Sequence, residues 1–582
     1  MDRKPFKILE KKILMNVDSN ITYTSEELLK HDFFKIFVTK TINELNAKRS
    51  PLLNIFGKTD IKEKDIDLLI DILVYLTKLK AEFLPKVVEG SEIFFKNKET
   101  LNDFVEYVYN YWREFDRFII CSSDITDLDK KPYRVFNETI ENLMHIVRKA
   151  YRDIQENITS VHPSIYRQVR AGAEIAAITS KKHEIALNGL YNKLKSIPMT
   201  RQILLYPPLI LNPPMNKRKG KFLRVDSNPL DRVDINSEEW LCYPAKVGEL
   251  LVYVYIHEKF LELGLSMCNL FELANDDELT GKPDGVYIFG IPDNSIDDMA
   301  EDPTVFYEDN ENKLIVAAVP NRDEFGYFGY LKKMILTIHN INIMKQEDLP
   351  FHGALVKIAM NNGREATVLL IGDSGAGKSE TLEALRILGD KHIRDMKIVA
   401  DDMGSIKIDS DGTVKGYGTE IGAYVRLDDL QPGYAFGQLD RTIIMNPSQV
   451  NARAILPVAT YDNIVRGHKI DFILYANNYE PIDEAHLIIE RFSTPSDAIN
   501  VFKEGAVMSK GTTTSTGLTN SYFANIFGPP EYKDLHDKIA DKYFKAFFDN
   551  NIFVGQIRTK LGIPGNESSG PKEAAEKLLS LI

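Results

Sequence analysis

The 582-residue chain has few cysteines and lacks any long uninterrupted apolar run. Its three cysteines, Cys121, Cys242 and Cys268, are widely spaced and odd in number, so the sequence predicts neither a disulfide framework nor a zinc site. No apolar segment is long enough to cross a bilayer, and the first residues lack the apolar core of a signal peptide. We therefore expect a cytoplasmic protein without a membrane role.

Positive charge is also in deficit, with 72 Lys and Arg residues against 84 Asp and Glu residues. The resulting net charge of −12 argues against nucleic-acid binding as the main function. Hydrophobic residues make up 44% of the chain and charged residues 27%, which is the composition of an ordinary globular protein. A chain of this length is expected to form about two to four domains.

Residues 1–205 are predicted to be mostly α-helical, because apolar side chains recur three and four residues apart. No metal-ligand spacing, glycine loop or nucleophile pattern occurs there, so we expect internal packing or binding of a protein partner. The predicted helices cover residues 26–48, 61–86, 101–118, 135–158 and a stretch from Pro163 towards Leu194.

A boundary is predicted where prolines cluster at residues 207–214, since proline cannot continue a helix. The basic run at 217–221 is predicted to be a solvated linker or a contact for an acidic partner. Residues 206–325 then predict a small mixed α/β domain, a candidate for the substrate side. It has a predicted helix over 247–263, strands over 285–291 and 314–319, and an exposed acidic loop over 293–309.

The strongest functional signal is the glycine-rich segment Gly372-Asp-Ser-Gly-Ala-Gly-Lys-Ser379. It follows the apolar run Val368–Ile371 and precedes apolar residues at helical spacing, which is the context of a phosphate-binding loop. In such loops, backbone N–H groups and a helix N-terminus surround phosphate oxygens. The alternative is a glycine-rich turn without a ligand. The expected nucleotide-binding residues are Gly372, Asp373, Ser374, Gly375, Ala376, Gly377, Lys378, Ser379 and Glu380, and the expected cofactors are ATP, Mg²⁺ and, as an alternative cation, Mn²⁺.

Two adjacent carboxylates, Asp401 and Asp402, end the apolar run that starts at Lys397. A carboxylate at the end of the strand after a phosphate loop commonly holds the magnesium ion of the nucleotide. A second carboxylate beside it can hold another metal ion or take the proton of an attacking hydroxyl group. In an ordinary turn, the same pair would carry no function.

These motifs resemble the core of the HPr kinase/phosphorylases and of their larger relatives, the phosphoenolpyruvate carboxykinases. The resemblance covers residues 326–530 in matching chain order. It implies an ATP-dependent phosphotransferase whose nucleotide-binding domain, residues 326–582, contains a mixed β-sheet. The similar segments are 327–334, 351–358, 372–381, 398–402, 418–424, 451–457 and, more loosely, 509–528. The whole chain is thus expected to be a multidomain α+β protein with a carboxykinase-like core.

The resemblance implies a transition-metal site formed by Lys333, His352 and Asp402. A lysine ligand must be neutral, which requires burial and nearby positive charge to lower its pKa. In the alternative interpretation, His352 is a satisfied core histidine, and Lys332 and Lys333 are ordinary lysines on a helix surface.

The nucleotide and its magnesium ion would be held by Lys378, Ser379 and Asp401. Asp402 or Asp401 would orient or deprotonate the acceptor hydroxyl group. Positioning and electrostatic stabilisation supply most of the rate in phosphoryl transfer.

Arg453 would face the transferring phosphate, where a guanidinium group suits the spreading negative charge. It could instead pair with a carboxylate such as Asp440. Glu420 lies in a segment that resembles a carboxykinase motif and is a further catalytic candidate, with an exposed position as its alternative.

The chain departs from the carboxykinases at their oxaloacetate-binding arginine. Its nearest counterpart is Lys282 in Leu279-Thr-Gly-Lys282. Lysine cannot form the bidentate hydrogen bonds that arginine forms with a carboxylate. We therefore predict a kinase whose acceptor is a metabolite or protein hydroxyl. Two alternatives are an ATP-dependent phosphoenolpyruvate carboxykinase with its carboxylate site rebuilt around Arg322 or Lys282, and a non-catalytic ATP-binding regulatory protein.

Overall fold

A computed structural model describes residues 5–17, 24–122, 130–180, 187–389, 392–427, 439–484, 486–510, 516–526, 528 and 530–582. The chain forms two compact units, one within residues 1–182 and 200–206, the other within 183–199 and 207–582. Both units combine helices with β-strands, so the structure is mixed α/β. Among the described residues, no helix has the length and apolar character needed to span a bilayer. The division into domains at residues 205 and 325 stays a prediction.

The helices of the first unit lie where apolar residues recur three and four apart. Their buried apolar faces form one core that includes Phe104 of the fourth helix and Leu69 of the third. The first four predicted helices are confirmed. The second ends at Leu76, before the predicted residue 86, and the third ends at Arg113, so that its last predicted residues belong to a strand. The first predicted helix is divided into α1 (Ser25–Lys30) and α2 (Asp32–Ala47), and the other three correspond to α3 (Glu63–Leu76), α4 (Lys98–Arg113) and α5 (Lys130–Thr159).

The same unit contains a β-sheet that the sequence analysis missed. Its strands, in spatial order, are β1 (Phe6–Leu9), β2 (Lys12–Val17), β3 (Asp116–Ser122), β4 (Ile175–Ser180) and β5 (Met199–Leu205). The helix predicted from Pro163 towards Leu194 is wrong. Every residue of β4 is buried, and a strand buried on both faces has no polar alternation to distinguish it from a helix.

The second unit contains a mixed sheet in the order β8-β9-β11-β13-β12-β7, with β10 paired to β8. The two strands predicted here are confirmed as β11 and β13. The helix predicted over 247–263 is wrong, because an almost wholly buried strand occupies residues 250–257. The predicted acidic loop ends in β12. The elements are β6 (Leu209–Leu211), β7 (Leu223–Arg224), β8 (Trp240–Val247), β9 (Leu250–His257), α6 (Leu261–Leu265), β10 (Glu272–Leu273), β11 (Gly285–Ile291), β12 (Val305–Asp309) and β13 (Leu314–Pro320).

The rest of this unit contains a larger mixed sheet in the order β22-β18-β17-β14-β15-β23-β27-β24, with β16 paired to β14. A smaller sheet has the order β19-β21-β20-β6, and β25 and β26 form a hairpin. The elements are α7 (Phe328–Lys345), β14 (Leu349–Met360), β15 (Glu365–Ile371), α8 (Lys378–Gly389), β16 (Ile393–Ala400), β17 (Met403–Ile408), β18 (Val414–Gly418), β19 (Gly422–Arg426), β20 (Ile443–Met445), β21 (Arg453–Pro457), α9 (Tyr461–Val465), β22 (His468–Lys469), β23 (Phe472–Asn477), β24 (Ile489–Arg491), α10 (Pro495–Glu504), β25 (Ala506–Lys510), β26 (Thr516–Asn520), α11 (Lys533–Asp549), β27 (Phe553–Arg558) and α12 (Ser569–Leu581).

One edge of the larger sheet brings the chemical motifs together. Strands β15, β23 and β27 are parallel, so their carboxyl ends meet at that edge. Ligands of open α/β sheets bind outside the carboxyl ends of the strands. Strand β14 runs antiparallel to β15 on one side and to β16 and β17 on the other, so it joins the glycine loop to the paired aspartates.

Candidate active site

The glycine loop has the predicted strand–loop–helix context. Strand β15 ends at Ile371, residues 372–377 form the loop, and α8 begins with Lys378, Ser379 and Glu380 in its first turn. The Lys378 amine donates to the carbonyl oxygens of Gly372 and, at 3.1 Å, Asp373. The lysine therefore lies over the loop, where a phosphate group would meet it.

Two residues that the sequence analysis missed hold this loop in place. The Asn478 amide donates to the carbonyl oxygen of Gly375 at 2.9 Å, and the Thr559 hydroxyl donates to that of Ala376 at 2.7 Å. Both residues directly follow strands parallel to β15. In the sequence, the one signal for these residues is their position directly after an apolar strand. That position indicates a role at the loop only when it is known that both strands lie beside β15 in the sheet.

Gly377 is required by both conformation and space. Its φ is +94°, and a Cβ there would lie 2.5 Å from the Thr559 hydroxyl oxygen. A residue with a side chain would therefore be strained in this left-handed backbone conformation. It would also displace Thr559, whose hydroxyl is hydrogen-bonded to the loop.

The structure brings His352 and Asp402 together. His352 lies on β14, and Asp402 lies in the connection between β16 and β17, which both pair with β14. Asp402 Oδ1 lies 2.9 Å from His352 Nε2, and the Asp402 carbonyl oxygen accepts from the Gly353 amide at 2.9 Å. His352 is thus hydrogen-bonded in the core. It also contacts the acidic cluster, which is formed by Asp401, Asp402 and Glu420 around Lys332.

Lys332, which is not among the predicted site residues, is the cation that contacts the carboxyl groups of both Asp402 and Glu420. Its Nζ lies 2.7 Å from Asp402 Oδ2 and 3.1 Å from Glu420 Oε1. The interpretation of Lys332 as a helix-surface lysine is wrong, because it is only 3% exposed. The alternative of an exposed Glu420 is also wrong, because that residue is buried.

The carboxyl groups around Lys332 differ in protonation. Burial raises the pKa of Asp402, but the Lys332 charge and the His352 hydrogen bond outweigh it and hold the pKa well below its ordinary value. Burial, together with the negative charge of Asp402, raises the pKa of Asp401 against the effects of Lys332 and Lys378. Burial raises the pKa of Glu420 to about 8, although Lys332 opposes the shift. At neutral pH the ionised Asp402 therefore faces a protonated Glu420.

Lys333 is half-buried on α7 and has the perturbation expected of a lysine ligand. Burial lowers its pKa to about 8, the positive charge of Arg218 lowers it further, and Asp402 opposes the shift. With a pKa of about 8, about one Lys333 side chain in ten is neutral at pH 7, far more than for an ordinary lysine, and this suits a lysine that binds a cation. The alternative interpretation of Lys333, an ordinary lysine on the helix surface, stays a prediction.

The basic run at 217–221 is not simply a solvated linker. Lys219 anchors it to α7, since the Lys219 amide donates to the Tyr330 hydroxyl at 2.9 Å, and that hydroxyl donates to the Lys219 carbonyl oxygen at 2.8 Å. Burial lowers the pKa of the neighbouring Arg218, whose guanidinium carbon lies 4.8 Å from the Phe222 ring centre. Within the described parts of the chain, Arg218 has no carboxylate partner.

Arg453 begins β21, and its guanidinium carbon lies 5.4 Å from the ring centre of Tyr424. Its Nε is buried without a hydrogen-bond partner, and no ion pair with Asp440 is found among the residues that the structure describes. Arg426 of β19 is directly opposite Arg453. Two guanidinium groups therefore lie side by side on this sheet.

By the chemistry of their donor atoms, His352, Asp402 and a neutral Lys333 suit a bound cation. In the described residues, no three His, Cys, Asp or Glu side chains converge well enough to hold a metal ion. His352 and Asp402 nevertheless present a nitrogen and an oxygen 2.9 Å apart, and Lys333 is the nearby residue with a lowered pKa. Such mixed donors suit Mn²⁺, whereas Asp401 and the Ser379 hydroxyl are the ligand types that Mg²⁺ prefers.

No protein-family model matches the chain, and no curated protein matches it. The loosely similar segment at 509–528 includes residues 511–515, 527 and 529, which lie outside the described residues.

Proposed function

We propose that this protein is an ATP-dependent phosphotransferase with a carboxykinase-like core. The observation that carries the proposal is the meeting of the glycine loop and the acidic cluster across one strand. The Gly372 amide donates to the His352 carbonyl oxygen at 3.3 Å, while the His352 side chain contacts Asp402. A phosphate held by the loop would therefore lie close to the cluster.

The two aspartates have different proposed roles. Asp402 is a poor base because Lys332 and His352 hold its pKa low, and it is suited to binding a cation. Asp401 has a raised pKa and is the better general base. In the proposed reaction, Asp401 takes the acceptor O–H proton, the acceptor oxygen bonds to the γ-phosphorus, and the bond from that phosphorus to ADP breaks.

The cations of the chain stabilise the transferred group. Lys378 and Arg453 neutralise the charge that develops on it, as their positions at the loop and beside Tyr424 support. A bound Mg²⁺ ion, held by the Ser379 hydroxyl, would supply further charge neutralisation on the phosphates.

The acceptor is proposed to carry a negative charge. Arg218 and Arg453 are both guanidinium groups without a carboxylate partner in the described chain, and Arg218 lowers the pKa of Lys333. Both residues are half-buried, and a partly desolvated charge is stabilised by an opposite charge, so an anionic acceptor group would complete the site. A phosphorylated or carboxylated metabolite fits this better than a neutral serine side chain.

Oxaloacetate is the second candidate acceptor, and Arg218 is the observation that favours it. Arg322 is a poor carboxylate-binding candidate because ion pairs occupy it, at 3.0 Å to Asp293, 2.7 Å to Asp297 and 2.9 Å to Glu324. Arg218 instead places an unpaired guanidinium close enough to Lys333 to lower its pKa. A carboxykinase would therefore use Arg218 for the substrate carboxylate.

Single-turnover transfer from γ-labelled ATP, with Mg²⁺ and Mn²⁺, tests these proposals. Oxaloacetate, a pool of anionic metabolites and a cell lysate serve as separate acceptors. Lys378→Ala and Asp402→Asn should abolish transfer, whereas Lys357→Ala, a half-buried lysine of β14 paired with Glu365, should not. Label in phosphoenolpyruvate establishes a carboxykinase, and label in another molecule identifies the kinase substrate. ATP that is bound but never consumed would favour the regulatory protein.

A further inference from the structure

Three consecutive non-glycine residues have left-handed backbone conformations beside the acidic cluster. The φ angles are 45° at Phe523, 57° at Ala524 and 61° at Asn525. Asparagine tolerates this region, but phenylalanine and alanine adopt it only at a cost in free energy. Strain of this kind persists where the surroundings impose it, and it is concentrated at functional sites.

The strained segment presents one carbonyl group to the site. The Ala524 carbonyl oxygen accepts a hydrogen bond from His352 Nδ1. A carbonyl oxygen can only accept, so Nδ1 carries a proton, while Nε2 points to Asp402 Oδ1, 2.9 Å away. The peptide plane between Ala524 and Asn525 therefore sets the orientation of the His352 ring.

Packing around the segment holds it in this conformation. Ala524 is completely buried, and the Phe523 ring centre lies 4.7 Å from that of His536. The Tyr522 hydroxyl donates to Asp537 Oδ1 at 2.8 Å and lies 2.8 Å from His536 Nδ1. These contacts hold the first residues of the strained turn.

We propose that residues Tyr522–Asn525 form a positioning clamp, whose left-handed backbone orients His352 to share a metal ion with Asp402. The inference rests on the proposed function, in which Asp402 binds a cation, and adds His352 as a second ligand of that cation. A hydrogen bond to the far nitrogen of a histidine ligand fixes its tautomer and ring orientation, and loss of such a partner costs about 10–100-fold in metal affinity.

Asn525 is the position that tests the clamp most cleanly. Its side chain is exposed, so substitution there changes the backbone preference without repacking the core. The φ angle of Asn525 helps to set the orientation of the peptide plane that contains the Ala524 carbonyl group. Valine disfavours the left-handed region, whereas glycine adopts it freely.

The experiment measures Mn²⁺ affinity of the ATP-free protein by electron paramagnetic resonance of free Mn²⁺, together with melting temperature. Asn525→Val should weaken binding about 10–100-fold, and Asn525→Gly should change it less than about twofold. Asn294→Val is the matched control, because Asn294 is exposed with a φ of 63° in another part of the unit. It should lower the melting temperature without changing Mn²⁺ affinity. Asn525→Ala, a milder change with the same expected direction, replaces the valine variant if that variant fails to fold.

The outcomes separate the clamp from the proposed function. If wild type binds Mn²⁺, His352→Ala abolishes binding and neither Asn525→Val nor Asn525→Ala weakens it, the clamp is refuted while the metal site stands. If wild type binds no Mn²⁺, the clamp and the metal site both fail, whereas labelled phosphate transfer independently decides whether the protein is a kinase. Equal losses in the valine and glycine variants would also refute the clamp, since glycine retains the backbone conformation.

Discussion

Replacing Lys332 with methionine should destabilise the second unit strongly. Methionine keeps most of the volume of the lysine side chain but removes the ammonium group that lies 2.7 Å from Asp402 and 3.1 Å from Glu420. Asp402, whose side chain is 26% exposed, would then remain ionised in a half-buried position. Removing one partner of a buried ion pair costs about 3–5 kcal/mol, because the other charge stays buried without compensation.

The structure places the expected loss at the lower end of that range. Glu420 already holds a proton at neutral pH, because its pKa is about 8, so it does not become a second uncompensated charge. Asp402 also keeps the contact with His352 Nε2 at 2.9 Å. We therefore expect a loss of about 3 kcal/mol. At about 2 °C per kcal/mol, the value for larger domains, the melting temperature should fall by about 6 °C.

Differential scanning fluorimetry at pH 7, without nucleotide, measures this shift. Lys345→Met is the matched control, because Lys345 ends the same helix and forms an ion pair with Glu308 in which the lysine side chain is 37% exposed. Exposed pairs contribute about 0–1 kcal/mol. Adding Asp402→Asn to Lys332→Met should restore part of the loss, since the buried charge is then absent. Equal shifts for the two lysine variants, or no rescue by Asp402→Asn, would refute the reasoning.

Three further outcomes follow from the site. Glu420→Gln should gain stability relative to wild type as pH rises from about 4.5 to about 8, as measured by urea unfolding. In this pH range native Glu420 retains a proton that the unfolded chain has released. Below the range both states hold the proton, and above it neither state does. Gly377→Ala should weaken binding of a non-hydrolysable ATP analogue by about tenfold or more in calorimetry, whereas Gly363→Ala, at a φ of +88° with no atom within 4 Å of the added Cβ, should leave it unchanged; equal affinities would contradict the steric argument. Thr559→Val, which leaves the Ala376 carbonyl oxygen without its 2.7 Å donor, should lower that affinity by about tenfold, and wild-type affinity would show that the loop needs no such support.

The helices of residues 26–158 could largely be predicted because each contains its own repeating apolar pattern. The strands β4 and β9 could not, because nearly all their residues are buried and no polar alternation distinguishes them from helix segments. The turn at Phe523–Asn525 was beyond prediction as well. Glycine is the usual signal of a left-handed backbone, and here tertiary packing imposes that conformation on other residues.

The sequence alone determined the glycine loop and its flanking strand and helix, because the spacing of eight neighbouring residues carries that motif. Only the tertiary structure decided which side chains surround Asp402. Adjacent residues on a helix point about 100° apart, so the packing of α7 places Lys332, and not Lys333, against Asp402 and Glu420. Arg218 lies more than a hundred residues before that cluster, and the Lys219–Tyr330 hydrogen bonds hold its segment against α7. Such contacts depend on strand order and helix rotation, which no local pattern in the chain encodes.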